Sequence, residues 1–149
     1  MAIARGAGTE IIRSGLFEQV NSTAQIMIVG IAHHVYTVLS IICHASSLNA
    51  DTDYVYAYLV GYDAKAGTSG QDLYLFQNDM SQAQTYVWND KFSFNGNEPT
   101  DFSGPLSTAA MQDAIADQAQ ATAQNLTVRA EHGSDAIDVT CTFIDQNNA

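Results

Sequence analysis

A strict alternation of apolar and polar residues near the end of the sequence most constrains what this chain can fold into. In the segment AIDVTCTFID, residues 136–145, aspartates and threonines separate the apolar residues Ile137, Val139, Cys141 and Phe143. Side chains along a β-strand point to opposite faces in turn, so the pattern predicts a strand with one buried face. The preceding segment NLTVRAEHG alternates in the same way, and the turn residues between the two segments predict an antiparallel hairpin.

Three upstream segments, separated by loops that contain Gly, Ser and Asp, are also predicted to be strands. The segment HVYTVLSIICHASS is apolar at odd and even positions alike, which is typical of a central strand covered on both faces, or of one with a face against a partner. The segment DYVYAYLVGYD places Tyr54, Tyr56 and Tyr58 on one face, and DLYLFQN is a shorter strand. Short strands punctuated in this way favour an all-β antiparallel sandwich with jelly-roll-like connectivity.

The segment TYVWNDKFSFNG, residues 85–96, contains an acid among aromatic residues. Asp90 shares its parity with Trp88 and Phe92, and a carboxylate buried alone on such a face would cost several kcal/mol. We therefore predict a bend or bulge at WNDK that exposes Asp90. The segment would then be two strands that meet at a corner.

Residues 97–124 are predicted to be an insertion that contains one helix, near residues 108–118. Thr108 can cap this helix, and Met111 and Ile115 belong to a narrow apolar stripe along it. The insertion would interrupt a single β-sandwich domain at residues 18–149.

Residues 1–17 are predicted to form an N-terminal docking arm in front of that domain. This segment has two of the five bases and a cluster of apolar residues, which suits arginine pairing with carboxylates of a neighbouring subunit. The alternative is a frayed terminus followed by an ordinary first strand. The residues predicted to dock are Arg5, Ile11, Ile12 and Arg13.

The composition excludes several classes of protein. The net charge is −11, from 16 acids and five bases, so nucleic acid is not an expected partner. Charged residues make up 14% of the chain, against about 25% in typical soluble domains, which suits a surface partly covered by neighbours. Residues 19–50 contain no charged residue, but their histidines and β-branched residues indicate buried strands and not a membrane-spanning helix.

The sequence offers no catalytic site, and we expect neither an enzyme nor a cofactor. It contains no nucleophile elbow and no phosphate-binding fingerprint. His33 and His34 are adjacent, so in a strand they would point to opposite faces and could not share a metal. Asp51 and Asp53 lack the spacing of a calcium loop. The predicted metal-site residues are therefore none.

The tyrosines at positions 54, 56 and 58 leave three alternatives open. The first is an ordinary sandwich face, since tyrosine favours strands. The second is a protein interface, where tyrosine is enriched. The third is a platform on which a carbohydrate stacks.

Several of these segments together resemble small virion structural proteins of tailed bacteriophages, in particular of marine cyanophages. The similar segments are YTVLSIICHASS, VYAYLVGYD, LYLFQNDMSQAQTYVWNDKFSFNG and the closing pair LTVRAEHG and AIDVTCTFID. In that family, a run with glutamine, threonine, Val-Trp, aspartate and phenylalanine joins two strands through a corner. The residues in those places here are Gln82, Thr85, Val87, Trp88, Asp90 and Phe92.

The resemblance implies a β-sandwich in a virion, assembled in the host cytoplasm, with its own copies and phage shell or tail proteins as partners. On this basis, together with the low charge, we expect a capsid decoration protein that is a homo-oligomer, with a trimer favoured. The alternatives are a tail, neck or baseplate component or fibre adaptor, and a module that binds a glycan or receptor through Tyr54, Tyr56 and Tyr58. No nucleic acid, membrane or cofactor is expected to bind.

Overall fold

The structure, a computed structural model, describes residues 8–64, 68–97, 108–110 and 123–148, with the backbone alone at 61–64 and 68–71. The strands formed by these residues are β1 (Thr9–Val20), β2 (Gln25–Val29), β3 (His34–Ser47), β4 (Thr52–Ala64), β5 (Thr68–Ser81), β6 (Thr85–Trp88), β7 (Phe92–Asn95), β8 (Asn125–Ala130) and β9 (Ala136–Asn147). Within the described ranges, no helix has the length and hydrophobicity needed to span a membrane.

The strands form two antiparallel sheets that pack face to face. Sheet A has the order β1-β9-β3-β6, with β7 beside β3 on the same edge as β6, and sheet B has the order β2-β8-β4-β5. Four antiparallel pairs enclose one another along the sequence, as in one long ribbon folded back on itself. From the outermost inward they are β1–β9, β2–β8, β3–β6 and β4–β5. The pairs β3–β9 and β4–β8 roll that ribbon into a sandwich. This is a jelly roll, and the predicted fold class is confirmed.

The core lies between the two sheets and follows the alternation that the sequence shows. In β9, the residues at 137, 139, 141 and 143 are all buried, and sheet B contributes Leu59 and Leu126 from the opposite side. Burying a side chain of this size stabilises a fold by roughly 1.5–3 kcal/mol. The hydrophobic effect therefore fixes which face of each strand points inward.

Strand β3 contains a β-bulge that its sequence pattern concealed. Tyr36 and Val38 point into the core before the bulge, and Ile41 and Cys43 do so after it. Leu39 is the extra residue, because Val38 pairs with Phe143 and Ser40 with the adjacent Thr142. One extra residue reverses the parity of a strand. The chain itself therefore buries one face of β3, so coverage of both faces within the sandwich was wrong, and a partner on the other face stays a prediction.

The interruption predicted at WNDK is confirmed, but it does not turn the chain toward another sheet. Trp88 pairs with Ile41 and Phe92 with Val38, so β6 and β7 follow the same edge of β3. Asp90 is exposed, as expected from the cost of burying its charge. Lys91 has a positive φ of 61°, which helps to break the strand at this point.

The predicted hairpin between residues 125–130 and 136–147 was wrong. Strand β8 pairs with β2 and β4 in sheet B, whereas β9 pairs with β1 and β3 in sheet A. Residues 131–135 therefore cross from one sheet to the other. Turn residues favour a reversal of the chain, but they do not determine whether the two strands pair or lie in opposite layers.

Two further sequence predictions fall on the margins of the described residues. The helix expected at 108–118 lies outside them except for residues 108–110. Of the docking arm expected at residues 1–17, residues 9–17 belong to β1, and residues 1–7 lie outside the described ranges.

Candidate interaction surfaces

The centre of the outer face of sheet A is uncharged on a strongly acidic protein, with Glu10 and Asp138 toward its two ends. Opposite residues in antiparallel strands share a face, so the pairings of β1, β9, β3, β6 and β7 identify the side chains that point outward. We call the central part of this surface the uncharged face, and its residues are Ile12, Ser14, Leu16, Thr37, Ser40, Ile42, Val87, Ser93, Thr140, Thr142 and Ile144. None of them is charged, although the chain contains 16 acids.

The uncharged face exposes large apolar side chains at four positions. Ile12 is 67% exposed, Leu16 59%, Val87 50% and Ile42 38%. Leu16, Ile42 and Val87 lie in one row across the sheet with Thr140 between them. Exposed apolar surface arranged in contiguous rows is typical of a surface that another protein covers.

Four of the six hydroxyl groups of the uncharged face pair with one another. Ser14 Oγ lies 2.9 Å from Thr142 Oγ1, and Thr37 Oγ1 lies 3.0 Å from Ser93 Oγ. A polar group that already has a partner costs less to remove from water than one that has none. These cross-strand pairs therefore lower the cost of covering the face.

The outer face of sheet B carries a cluster of aromatic rings. Tyr58 and Tyr74 have ring centroids 5.3 Å apart, Tyr56 and Tyr74 6.1 Å, and Tyr54 and Tyr56 6.2 Å. The guanidinium carbon of Arg129 lies 5.3 Å from the centroid of Tyr56, within reach of a cation–π contact. We call these five residues the tyrosine face. The structure thus brings Tyr54, Tyr56 and Tyr58 together, as expected from their shared parity.

Two phenols of the tyrosine face, Tyr56 and Tyr58, have a raised pKa, chiefly because they are partly removed from water. Burial raises the pKa of Tyr56, the Glu131 carboxylate adds to the rise, and the Arg129 guanidinium opposes it. Burial also raises the pKa of Tyr58, again opposed by Arg129. Both phenols therefore remain hydrogen-bond donors at neutral pH.

The residues predicted to dock have separate positions in the structure. Ile11 and Arg13 lie on the side of β1 that faces sheet B but stay partly exposed at the edge, whereas Ile12 belongs to the uncharged face. The Arg13 Nε donates to Asp145 Oδ2 at 3.2 Å, and the Asp145 side chain is only 4% exposed. Arg13 therefore attaches β1 to β9 within the chain. Arg5 lies outside the described residues, and docking by this segment stays a prediction.

Asp145 joins three strands at one end of the sandwich. His34 Nδ1 lies 2.7 Å from Asp145 Oδ1, so the carboxyl group contacts both His34 of β3 and Arg13 of β1. A buried carboxylate is stable when its oxygens accept such hydrogen bonds. This arrangement holds β1 in register at its start.

Three potential metal ligands come together at the opposite end of the sandwich. Oxygen or nitrogen atoms of Asp53, His132 and Asp135 lie within 4.8 Å of one another. The Asp135 oxygens accept from the backbone N–H groups of Asn49 and His132, both at 2.8 Å. Asp53 accepts from the Ala50 N–H at 3.2 Å and lies 2.9 Å from His132 Nδ1. These bonds tie together the two chain crossings between the sheets, at residues 48–51 and 131–135.

The two cysteines are free and buried on neighbouring strands. Cys43 of β3 and Cys141 of β9 both have no exposed surface. Burial raises the pKa of each thiol to about 12. Since the thiolate is the reactive form, both side chains act as small core residues.

Sequence reasoning missed the uncharged face and part of the tyrosine face. Thr140 and Thr142 share a face of β9 with the charged Asp138, so this strand alone gave no sign that the centre of the face lacks charge. Tyr74 and Arg129 were missed because their placement beside Tyr56 and Tyr58 depends on the pairing of β5 and β8 with β4.

Comparison with known proteins gives no relative by sequence, since no protein-family model and no curated protein matches the chain. Among solved structures, a protein of the disulfide-linked pili called Bacillus endospore appendages is similar at a TM-score of 0.43 and 11% identity. That similarity covers 100% of this chain and 97% of that one. A protein of infectious bursal disease virus, Gx strain, is similar at a TM-score of 0.42 and 9% identity, over 99% of this chain and 35% of that one. We base no argument on likenesses at this level.

Proposed function

We propose that this chain is a non-enzymatic structural protein that works in many copies, and that the uncharged face is where it packs against its neighbours. The observation that carries the proposal is the distribution of charge. A chain with a net charge of −11 would be expected to spread its 16 acids over every solvated surface, yet the centre of sheet A has none. Charged residues are depleted at the cores of protein interfaces.

The exposed apolar row supports the same conclusion. Leu16, Ile42 and Val87 lose contact with water only if another surface covers them, and burying apolar area contributes about 25 cal/mol per Å². The paired hydroxyl groups around them reduce the opposing cost of desolvation. Copies of the same chain would also repel each other least where neither carries an acid.

The substitution Ile42→Glu is expected to weaken self-association by at least about tenfold, which corresponds to about 1.4 kcal/mol. The carboxylate would lie at the centre of the covered surface without a partner. Sedimentation velocity over a micromolar range of concentrations measures the effect, with circular dichroism to show that the fold is kept.

The matched control is Gln77→Glu, which adds the same charge at an exposed position of β5. Both variants have the same net charge, so a general increase in repulsion affects them equally. Association of the wild type should strengthen with salt, because salt screens repulsion between acidic copies. A wild-type chain that stays monomeric at every concentration would overturn the proposal, as would equal effects of the two substitutions.

We further propose that the assembly is a phage virion and that the chain decorates the outside of its head. The support for this step is the resemblance of the strand segments to small phage virion proteins, together with the proposed assembly. A tail, neck or baseplate component or a fibre adaptor is the alternative. The copy number per virion separates them, since hundreds of copies imply the head and far fewer imply the tail.

Glycan binding is a second candidate function, and the tyrosine face supports it. Its rings form a continuous platform beside a guanidinium, and aromatic rings with polar tips suit stacking against sugars. Binding of the wild type to a glycan array, lost in Tyr74→Ala, would establish this function. An array on which the wild type gives no signal would exclude glycan binding.

A further inference from the structure

The edges of the two sheets differ in how well they are protected against pairing with another strand. Natural proteins protect an edge with bulges, short strands, lysine or proline, because its free backbone groups can otherwise bind a strand from another molecule. The edge formed by β6 and β7 is broken by the exposed Asp90 and by Lys91. Strand β2 has five residues and a register shift, and β5 has three register shifts against β4.

Strand β1 is an edge whose irregularity is confined to one end, between Phe17 and Val20. Its residues Thr9 to Phe17 form nine consecutive residue pairs with β9, with no bulge in that range. Residues 10–17 contain neither lysine nor proline. The charged side chains among them are Glu10 and Arg13, and Arg13 is already paired with Asp145. Within the described residues, no strand pairs with the outer edge of β1.

We propose that β1 pairs antiparallel with β1 of a second copy, around a twofold axis perpendicular to sheet A. A second copy fits this edge because, among the described strands, β1 alone is regular and long enough to receive β1. An edge that pairs with itself gives a closed, isologous dimer. The inference rests on the proposed function and names the contact that forms first. The uncharged faces stay uncovered in this dimer and further dimers pack on them, so Ile42→Glu acts on that second step.

This pairing has two structural consequences. The twofold axis keeps the outward side chains of both copies on one side, so the two uncharged faces become one continuous surface. Ile12 and Leu16, the most exposed residues of that face, then lie at its centre. The unit of assembly is a dimer and not the trimer expected from the sequence.

Spin labels on single cysteines test the pairing in the full chain. A label at Ser14→Cys lies on β1, and the matched label at Val87→Cys lies on the far edge of the same face. The labelling reagent should react with the introduced cysteine alone, because burial raises the pKa of Cys43 and Cys141 to about 12. Leu16→Cys serves as a second β1 position in case Ser14→Cys disturbs the strand.

The expected distances differ strongly between the two sites. With the regular stretch Thr9–Phe17 of both copies centred on the twofold axis, the two Ser14 backbones lie about 8 Å apart, so the labels should lie within about 20 Å of each other. Labels at position 87 should be separated by about 34 Å, since seven strand spacings of about 4.8 Å lie between them. Electron paramagnetic resonance on the associated protein measures both.

The outcomes separate this inference from the proposed function. A dimer with short distances at position 14 or 16 and long ones at 87 supports the pairing. An associated protein with short distances at 87 and long ones at 14 and 16 overturns the pairing but keeps assembly through the uncharged face. A protein that remains monomeric overturns both.

Discussion

Replacing Gly30 with alanine is expected to destabilise the fold by about 3 kcal/mol or more. Gly30 follows β2 and is buried, and a Cβ atom there would lie 1.9 Å from the carbonyl oxygen of Gly96 and 2.3 Å from that of Gln124. Both obstacles are backbone atoms of segments that border β7 and β8. They cannot move without shifting those strands, so a rotamer change does not relieve the clash.

Thermal unfolding followed by circular dichroism measures this effect. A loss of about 3 kcal/mol lowers the melting temperature of a chain of this size by roughly 10 °C. Gly133→Ala is the matched control, because its nearest neighbour, Ser22 Oγ, would lie at an ordinary 3.6 Å. Equal melting temperatures for wild type and Gly30→Ala would show that the two segments are not packed as described.

Replacing Asp135 with alanine is expected to cost about 2–3 kcal/mol, the next largest effect. Asp135 is 3% exposed, and its two carboxylate oxygens accept hydrogen bonds from the backbone N–H groups of Asn49 and His132. Alanine leaves both donors without their acceptor and loosens the two chain crossings that they join. Unfolding in urea measures the change as a lower midpoint.

The adjacent position provides the control for this substitution. Ser134 lies in the same turn, is exposed, and donates to the Asn49 side chain at 2.7 Å. Ser134→Ala should change the free energy of unfolding by no more than about 0.5 kcal/mol, as is usual for surface positions. If Asp135→Ala were equally mild, the buried carboxylate would not be what holds the crossings together.

The elements of the fold were largely predictable from alternation in the sequence. The strand at 136–147 and the interruption near Asp90 follow from local chemistry, since burial of apolar residues and exposure of charge act on neighbouring positions. The jelly-roll class follows from many short strands separated by turns. These features need no knowledge of which strands pair.

The errors have a common physical origin in pairing between distant residues. The bulge at Leu39 appears only when β3 is aligned with β9, more than a hundred positions later. The crossing at 131–135 was interpreted as a hairpin because the same turn residues occur in hairpin loops and in connections between two sheets. The contact of Gly30 with Gly96 depends on how β2 and β7 meet at the end of the sandwich.

The candidate surfaces were predictable in part for the same reason. Shared parity was enough to place Tyr54, Tyr56 and Tyr58 on one face. The uncharged face combines residues from five strands, and its lack of charge becomes visible only after those strands are ordered. Assembly through this face is the central claim about the protein.

Hydroxyl-radical labelling followed by mass spectrometry tests that claim most directly, because it reports the exposure of individual side chains. The comparison is between the associated wild type and the monomer at high dilution. If copies pack through the uncharged face, Leu16 and Ile42 lose most of their labelling on association, while Tyr54 and Tyr74 keep theirs. Protection of the two tyrosines, with Leu16 and Ile42 unchanged, would contradict it and assign the contact to the tyrosine face.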